Sequence, residues 1–522
     1  MSSKKPQKKK PENSFSVDGK ILPLDALGKI ASNLRKSGKT VVHCHGVFDL
    51  MHPGHIMHFE SAKKQGDVLI VTITQDRHVN KGPGRPVFDQ DVRARTVAAL
   101  AIVDYVSINP HTSGTEAILN LRPDVYVKGE EYQDESKDVT GGIVHERKAV
   151  ESIGAKLYFT SEPTFSSSEL LNNHFNALPP DIKKFVEQFK KKYNTDALIK
   201  KMKNLEKLKV MVIGETIIDE YHYCSPMGRA GKESIVTYQY QRGESFAGGV
   251  LACANHLAGF VQNVKMVSCL GGSDSREDFI KGHLKPGVTP KFFYDKTAPT
   301  IVKRRYVWDP FLVKLFEVQF LKNALIPKKT EEQILPFLNK ELPKYDLVIA
   351  TDYGHGFFTP AIIKKITEKS KFLALNTQTN GANIGFNLIT KYPRADYVCI
   401  DDPEMRLAHH DRFADIKDLM KKTAKHLKAK YVTVTRGHLG SVVYSAKNGF
   451  AETPVLSKEI VDRIGAGDAF LAVTAPCAAS SFSPDLIGFI GNAVGALAVR
   501  IVGNRTPIEA APLMKFITTL LK

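Results

Sequence analysis

Beyond residue 39 the chain repeats one pattern: a short apolar run, a polar or glycine-bearing end, then a helical stretch. TVVHCHGVF (40–48) reads as a buried strand, and HIMHFESAKKQG as a helix closed by Gly66. DVLIVTIT (67–74) is a second strand and VRARTVAALAIV a helix. DYVSIN, PDVYVKG and AKLYFT are further strands. A second series starts at LKVMVIGETIID (208–219). It runs on through VKMVSCLGG, YDLVIATDYGHG, KFLALNTQ, ADYVCIDDPE and KYVTVTRGHLG. Strands alternating with helices predict parallel sheets covered on both faces. The expected fold class is therefore α/β, in two units, with no short-period repeat. Ligands of open α/β sheets sit outside the carboxyl ends of the strands, so the polar strand ends are the first candidates for a site.

With 522 residues the chain is long enough for two to four domains at about 150 residues each. Residues 1–36 are expected to be a basic, disordered tail and 37–175 a first domain. After Pro179-Pro180, residues 176–206 read as a Lys-rich helical linker, and 207–522 as a second domain. The net charge of +18 is concentrated in the first ten residues and in 181–209, where ten Lys face four acids. Those segments lack the aromatic interleaving of a nucleic-acid surface, so no specific nucleic-acid partner is expected. Cys44, Cys224, Cys253, Cys269, Cys399 and Cys477 form no C-x-x-C pair, as in free thiols of a reducing compartment. The start MSSKKPQKKKPENS has no apolar signal core. The most apolar stretch, 487–503, is broken by Asn492 and Arg500 and reads as a buried helix. A cytoplasmic protein without a membrane partner is expected.

In GVFDLMHPGH (46–55), two imidazoles three residues apart open a helix after a strand. Helix N-termini favour phosphate, and Gly46 and Gly54 let backbone approach a ligand. Such a corner suits a nucleoside triphosphate losing pyrophosphate. Alone, His52 and His55 fit an incidental surface pair as well, and the crowd of His43, His45, His52, His55 and His58 leaves metal binding open. The segment GVFDLMHPGHIMHFESAKKQGD resembles the signature of the cytidylyltransferase-like nucleotidyltransferase family. Lys81 with RPVF (85–88), Arg93, PDVYVKGEEY (123–132) and FSSSELL (165–171) follow in the family's order. The resemblance covers 40–172 and implies a Rossmann-like domain. It implies that His52 and His55 act on the triphosphate and that Lys81 neutralises phosphate. Gly46, Phe48, Lys128 and Gly129 would lie by the nucleotide, with Ser166, Ser167 and Ser168 capping phosphate. The family's arginine before the serine run is missing at Glu162-Pro163-Thr164.

DRIGAGDAFLAV (462–473) places a Gly-Ala-Gly turn before an apolar helix, with Asp468 in its first turn. Free N–H groups there hold an anion, and an acid beside them can take a hydroxyl proton. A simple capped helix has the same look. No G-x-x-x-x-G-K-[ST] occurs, which excludes a P-loop kinase. GETIIDEY, AGGVLACANHLA, TDYGHG, DDPE, VTRGHLG, GAGD and GNAVGALAV resemble, in order, the ribokinase/PfkB carbohydrate kinase family over 208–520. The resemblance implies Asp468 as catalytic base and Gly465, Ala466 and Gly467 as the anion hole. Glu404 would organise Mg²⁺ indirectly, Thr435 and Gly437 would line ATP, and Asn492 would lie near adenine. Asp219, Gly248, Gly249 and Asn255 would hold the sugar. Lys303, Arg304 and Arg305 either meet a sugar phosphate, Arg304 foremost, or form a solvated edge. A β lid is expected from about 221–245 and 299–319, where YVWDPFLVKLFEV alternates as a half-exposed strand. Trp308 would line the sugar pocket or pack within that lid. Pairing through the lid implies a homodimer or larger homo-oligomer. Asp401 and Arg463 depart from the family's pattern.

A sugar kinase joined to a nucleotidyltransferase reads as two consecutive steps using ATP, with CTP also open for the first domain. The combination resembles the bifunctional heptose-7-phosphate kinases and heptose-1-phosphate adenylyltransferases of ADP-heptose synthesis. Two departures stand out: the domain order is reversed, and NTQTNGANIGFN (376–387) replaces an Asp-Pro-Lys stretch. A regulatory protein built on two decayed enzyme folds is the rival, opposed by intact His52, His55 and Asp468.

Overall fold

The computed structural model describes residues 17–134, 138, 141–161, 178–309, 311–381, 383–457 and 459–522. They form two compact units, divided between Ala177 and Leu178.

In the first unit VLIVTIT is buried at every position, as a strand covered on both faces must be. Strands β1 (Val41–Gly46), β2 (Val68–Thr74), β3 (Tyr105–Asn109), β4 (Val125–Gly129) and β5 (Lys156–Thr160) run in the order β3-β2-β1-β4-β5. All their pairings are parallel. The direction of winding reverses between β1 and β4, and a crevice opens at such a switch.

The expected tail ends earlier than residue 36. Leu24–Lys36 is a helix whose Leu24, Leu27 and Ala31 are buried. They pack with Val41, Ile70, Ala117 and Leu121, and Arg35 donates to the Leu121 carbonyl at 2.8 Å. The apolar 3–4 spacing is a core-facing stripe; the lysines before it drew attention away from it. Residues 1–16 lie outside the described residues.

The linker also needs correcting. Pro180–Lys192 and Thr195–Lys203 are helices, but they bury Ile182, Val186, Phe189, Leu198, Ile199 and Met202. The Phe189 ring lies 4.2 Å from that of Phe489, and Lys192 pairs with Asp485 at 2.7 Å. Each buried side chain of this kind contributes about 1.5–3 kcal/mol. These helices therefore belong to the second unit; their lysines occupy only the outward face.

That unit holds β6 (Lys209–Gly214), β7 (Thr216–Arg229), β8 (Val236–Gly249), β9 (Asn263–Gly271), β10 (Val288–Asp295), β11 (Ile301–Trp308) and β12 (Val313–Phe320). It continues with β13 (Leu347–Asp352), β14 (Leu373–Thr377), β15 (Tyr397–Asp401), β16 (Tyr431–Thr435), β17 (Ser441–Ser445) and β18 (Gly449–Thr453). The main sheet runs β10-β9-β6-β13-β14-β15-β16-β17-β18, with its switch between β6 and β13. Strands β12-β11-β7-β8 form the separate lid sheet. YVWDPFLVKLFEV is not one strand but the end of β11, a turn and β12 in an antiparallel pair. Trp308 packs edge-on against Phe311 in that turn, at 5.2 Å. Only Glu215 separates β6 from β7. The apolar stretch 487–503 begins in the buried helix Pro484–Ala498. Among the described residues no helix is long and apolar enough to cross a membrane.

Candidate functional site

At the carboxyl end of β1, His52 caps the helix Pro53–Lys63, with Pro53 at its first position. The His52 carbonyl accepts the His55 N–H at 2.9 Å. The two rings then stack at 3.8 Å, and Phe48 closes edge-on over His55 at 5.3 Å. Burial pulls His55 down to about 3, with the charges of His52 and Lys81 adding to it. Burial and Lys81 lower His52 as well. Two imidazoles held neutral by burial thus stand within the field of the Lys81 cation. The other histidines go elsewhere: His43 and His45 each bond Thr72 at 2.8 Å, and His58 bonds Thr160 at 2.9 Å. Among the described residues no three His, Cys, Asp or Glu converge as metal ligands.

Two glycines here serve protein atoms. A Cβ on Gly46 would lie 2.8 Å from the Phe48 ring, and one on Gly129 2.2 Å from the Glu131 carboxylate. Lys128, across the switch on β4, is half-buried and pairs with Glu146 at 2.8 Å, with Tyr132 beneath its ammonium. Its charge already has a partner. Ser166, Ser167 and Ser168 lie outside the described residues.

In the second unit Gly465, at φ +82°, opens the helix Ala466–Ala479, and Asp468 stands in its first turn. A Cβ on Gly465 would strike the Asn504 side chain, whereas around Gly467 there is open space. Asp468 Oδ1 accepts the Tyr353 hydroxyl at 2.6 Å. Burial pushes the Asp468 carboxyl up to about 6, with Asp219 adding to this and Tyr353 and Lys303 opposing it. Asp219 therefore faces the same space from β7. Its Oδ1 accepts from Arg305 at 2.5 Å. Gly248 opposite makes room for it, since a Cβ there would sit 2.1 Å from Oδ2. Gly249, at φ +59°, turns the chain into the helix Val250–Leu257.

On the other side of the helix start, Asp401 pairs with Thr435 across β15 and β16. Asp401 and Glu404 form a capping box. Both Glu404 oxygens accept backbone N–H groups, from Thr379 at 2.8 Å and Asp401 at 3.0 Å. Burial, with the Asp401 charge, pushes Glu404 up to about 8. Gly437, at φ +54°, starts the turn after Thr435.

Residues 43–173 match the cytidylyltransferase-like family model, and residues 379–511 match the pfkB family of carbohydrate kinases. These matches cover 131 and 133 of the 522 residues. Curated relatives match over the first of these. The bifunctional protein HldE of Gluconobacter oxydans is 37% identical over 141 residues, 27% of this chain and 28% of that one. The bifunctional protein HldE of Campylobacter fetus is 41% identical over 140 residues, 26% and 29% of the two chains. The chain thus spans under a third of the length of these relatives. Among solved structures, ribokinase from Thermotoga maritima is 17% identical with a TM-score of 0.45, covering 60% of this chain and 99% of that one. Phosphofructokinase-2 from Escherichia coli is 13% identical with a TM-score of 0.49, over 60% and 100%.

Three expected residues of the second unit sit differently. Arg304 points to the opposite face of β11 from Asp219: its Nε bonds Glu220 at 2.7 Å and its guanidinium covers Phe320. Alternation along the strand puts Lys303 and Arg305 on the Asp219 side instead. Asn255 uses its side chain on backbone, donating to the His283 carbonyl at 2.8 Å and accepting the Lys285 N–H at 2.9 Å. Asn492 donates to Ser441 and to the Gly488 carbonyl, so its amide bonds within the protein.

Sequence reasoning gave no role to four groups. In the cytidylyltransferase-like domain, Asp49 accepts from Arg85, Val87 and Phe88 and fixes the RPVF loop. Fully buried Arg93 ties the carbonyls of Val47, Thr74 and Phe88 together. In the second unit, Tyr353 meets Asp468. Asp462 takes bonds from Tyr221 and Lys314 of the lid, both at 2.7 Å. Only Arg93 carried a signal, through its place in the order of motifs that resembles the cytidylyltransferase-like family.

Proposed function

We propose that this chain makes a nucleotide-sugar in two steps. In the pfkB-family domain, the γ-phosphoryl group of ATP passes to a hydroxyl of a sugar phosphate, with heptose 7-phosphate at C1 as the best match. In the cytidylyltransferase-like domain, the resulting 1-phosphate oxygen attacks the α-phosphorus of ATP, or of CTP, and pyrophosphate leaves.

The observation that supports this most is the meeting of Asp468 with Asp219 and Lys303 at a glycine-opened helix start. Asp468, ionised above about 6, takes the proton of the attacking hydroxyl. The N–H groups of Gly465 to Gly467 face the transferred phosphoryl group. Asp219 accepts from sugar hydroxyls. Lys303 and Arg305 give that side positive charge, which suits an acceptor already carrying phosphate. Mg²⁺ riding on the nucleotide supplies charge neutralisation, and Glu404, with both oxygens on backbone N–H groups, fits a role through water. In the other domain neutral His52 and His55 donate to the triphosphate and Lys81 balances its charge.

The lid exposes Met227, Ile235, Tyr240, Phe316, Val318 and Phe320, and we read this apolar set as the contact with a second copy. Sedimentation of the intact chain as a monomer would sink that part. For the reaction, purified protein is given Mg²⁺, heptose 7-phosphate and ATP or CTP, and products are weighed by mass spectrometry. A heptose bisphosphate supports the kinase and its sugar, and the mass of a nucleotide-sugar separates ADP from CDP. No product with either nucleotide rejects the heptose.

A further inference from the structure

The segment NTQTNGANIGFN has no part in the two-step reading, yet its side chains converge on one turn. Asn380 and Asn383 both donate to the Tyr353 carbonyl, at 2.8 and 2.9 Å. Asn387 donates to the Asp352 carbonyl at 2.9 Å, and the Gln378 N–H reaches that same carbonyl at 2.8 Å. From the other side the buried Glu215 carboxylate accepts the N–H groups of Tyr353 at 3.0 Å, His355 at 3.1 Å and Phe357 at 3.4 Å. A short loop held by four amides and a carboxylate has little freedom left. What it presents is one phenol, 2.6 Å from Asp468 Oδ1.

We propose that Tyr353 is the positioning residue of the phosphoryl-transfer site. Its hydroxyl holds the Asp468 carboxylate in register with the acceptor and keeps it ionised, and the asparagine segment with Glu215 is the clamp that fixes Tyr353. The inference rests on Asp468 being the base. A base oriented by a third group is a recurrent arrangement in proton-abstracting sites. A hydrogen bond donated to a carboxylate favours its charged form. Burial and the neighbouring Asp468 raise the phenol well above its usual range, so it stays a donor. The other groups facing Asp468 are Asp219 on β7, Lys303 on β11, Cys253 on the helix after Gly249 and Cys399 on β15. Asp219 opposes ionisation of Asp468 and Lys303 favours it.

The test is the pH profile of sugar phosphorylation by the full chain, for wild type, Tyr353→Phe, Asn380→Ala and Asp468→Asn. Wild type should lose kcat/KM below about pH 6, where Asp468 takes a proton. Tyr353→Phe should lower kcat at neutral pH and move this acid limb up by about one pH unit. The KM values for ATP and sugar should change about twofold or less. Asn380→Ala, which loosens only the clamp, should move the limb the same way by less, and it stands in should Tyr353→Phe fail to fold. Denaturant melts that follow the second unit, unchanged from wild type, report that each variant is folded. A uniform fall with the limb unmoved overturns the inference. Wild-type inactivity, or an Asp468→Asn enzyme as active as wild type, instead overturns the assignment of the base, and the inference with it.

Discussion

At the scale of single residues, the two sites are expected to fail independently. Asp468→Asn should cut sugar phosphorylation by roughly 10²–10⁴ while leaving pyrophosphate release from a supplied sugar 1-phosphate. His55→Ala should do the reverse. A folded variant losing both activities would sink the two-site reading, and coupled assays on one preparation decide it. The placement of His52, His55 and Asp468 at helix starts was legible because each stands next to glycine or proline, where local chain geometry sets the backbone. Arg304 was misplaced for the opposite reason. In Lys303-Arg304-Arg305 neighbours face opposite sides of the strand, and only the pairing of Lys303 with Asp219 across β11 and β7 fixes which side holds the site. Tyr353 was out of reach altogether, because its contact with Asp468 spans 115 residues and no local pattern announces it.

At the scale of elements, the strands were readable because β-branched runs closed by glycine or acid admit few other structures. The helix Leu24–Lys36 and the burial of the helices Pro180–Lys192 and Thr195–Lys203 were not, because charge on the outer face was taken as the character of the whole segment. The two readings of 180–203 differ measurably. Phe189 is buried against Phe489, so Phe189→Ala should destabilise the second unit by about 3–5 kcal/mol. Were the segment a solvated connector, the change would stay within about 0.5 kcal/mol. Denaturant melts of the full chain, followed by loss of sugar phosphorylation, distinguish these outcomes.

At the scale of the whole molecule, the two units should respond differently to acid. In the first, burial holds His43 and His55 near 3 in the folded state, while the unfolded chain takes up protons near 6.5. Folding stability from these groups is complete above about 6.5 and is lost as pH falls below it. For fully buried His43 the loss at pH 5 is about 2 kcal/mol. In the second unit His256 and His355, both near 4, act in the same direction. There Glu215 near 7, Glu404 near 8 and Asp468 near 6 oppose them. These three carboxyls bind protons more readily folded than unfolded, so that contribution grows as pH falls from their folded values toward about 4. Calorimetry at pH 7 and pH 5 should therefore show the first unit's transition dropping further than the second's. Equal shifts would refute the assignment.

The direct passage of β6 into β7 through Glu215 has a consequence for how such a protein can be altered. Glu215 joins the catalytic sheet to the lid, and its carboxylate also holds the loop that carries Tyr353. A lid reshaped to admit a different sugar would pull on that joint, and the strain would arrive at Asp468. On this reading substrate range and turnover would be mechanically linked. Variants selected for a new acceptor should carry compensating changes near Asn380, Asn383 and Asn387.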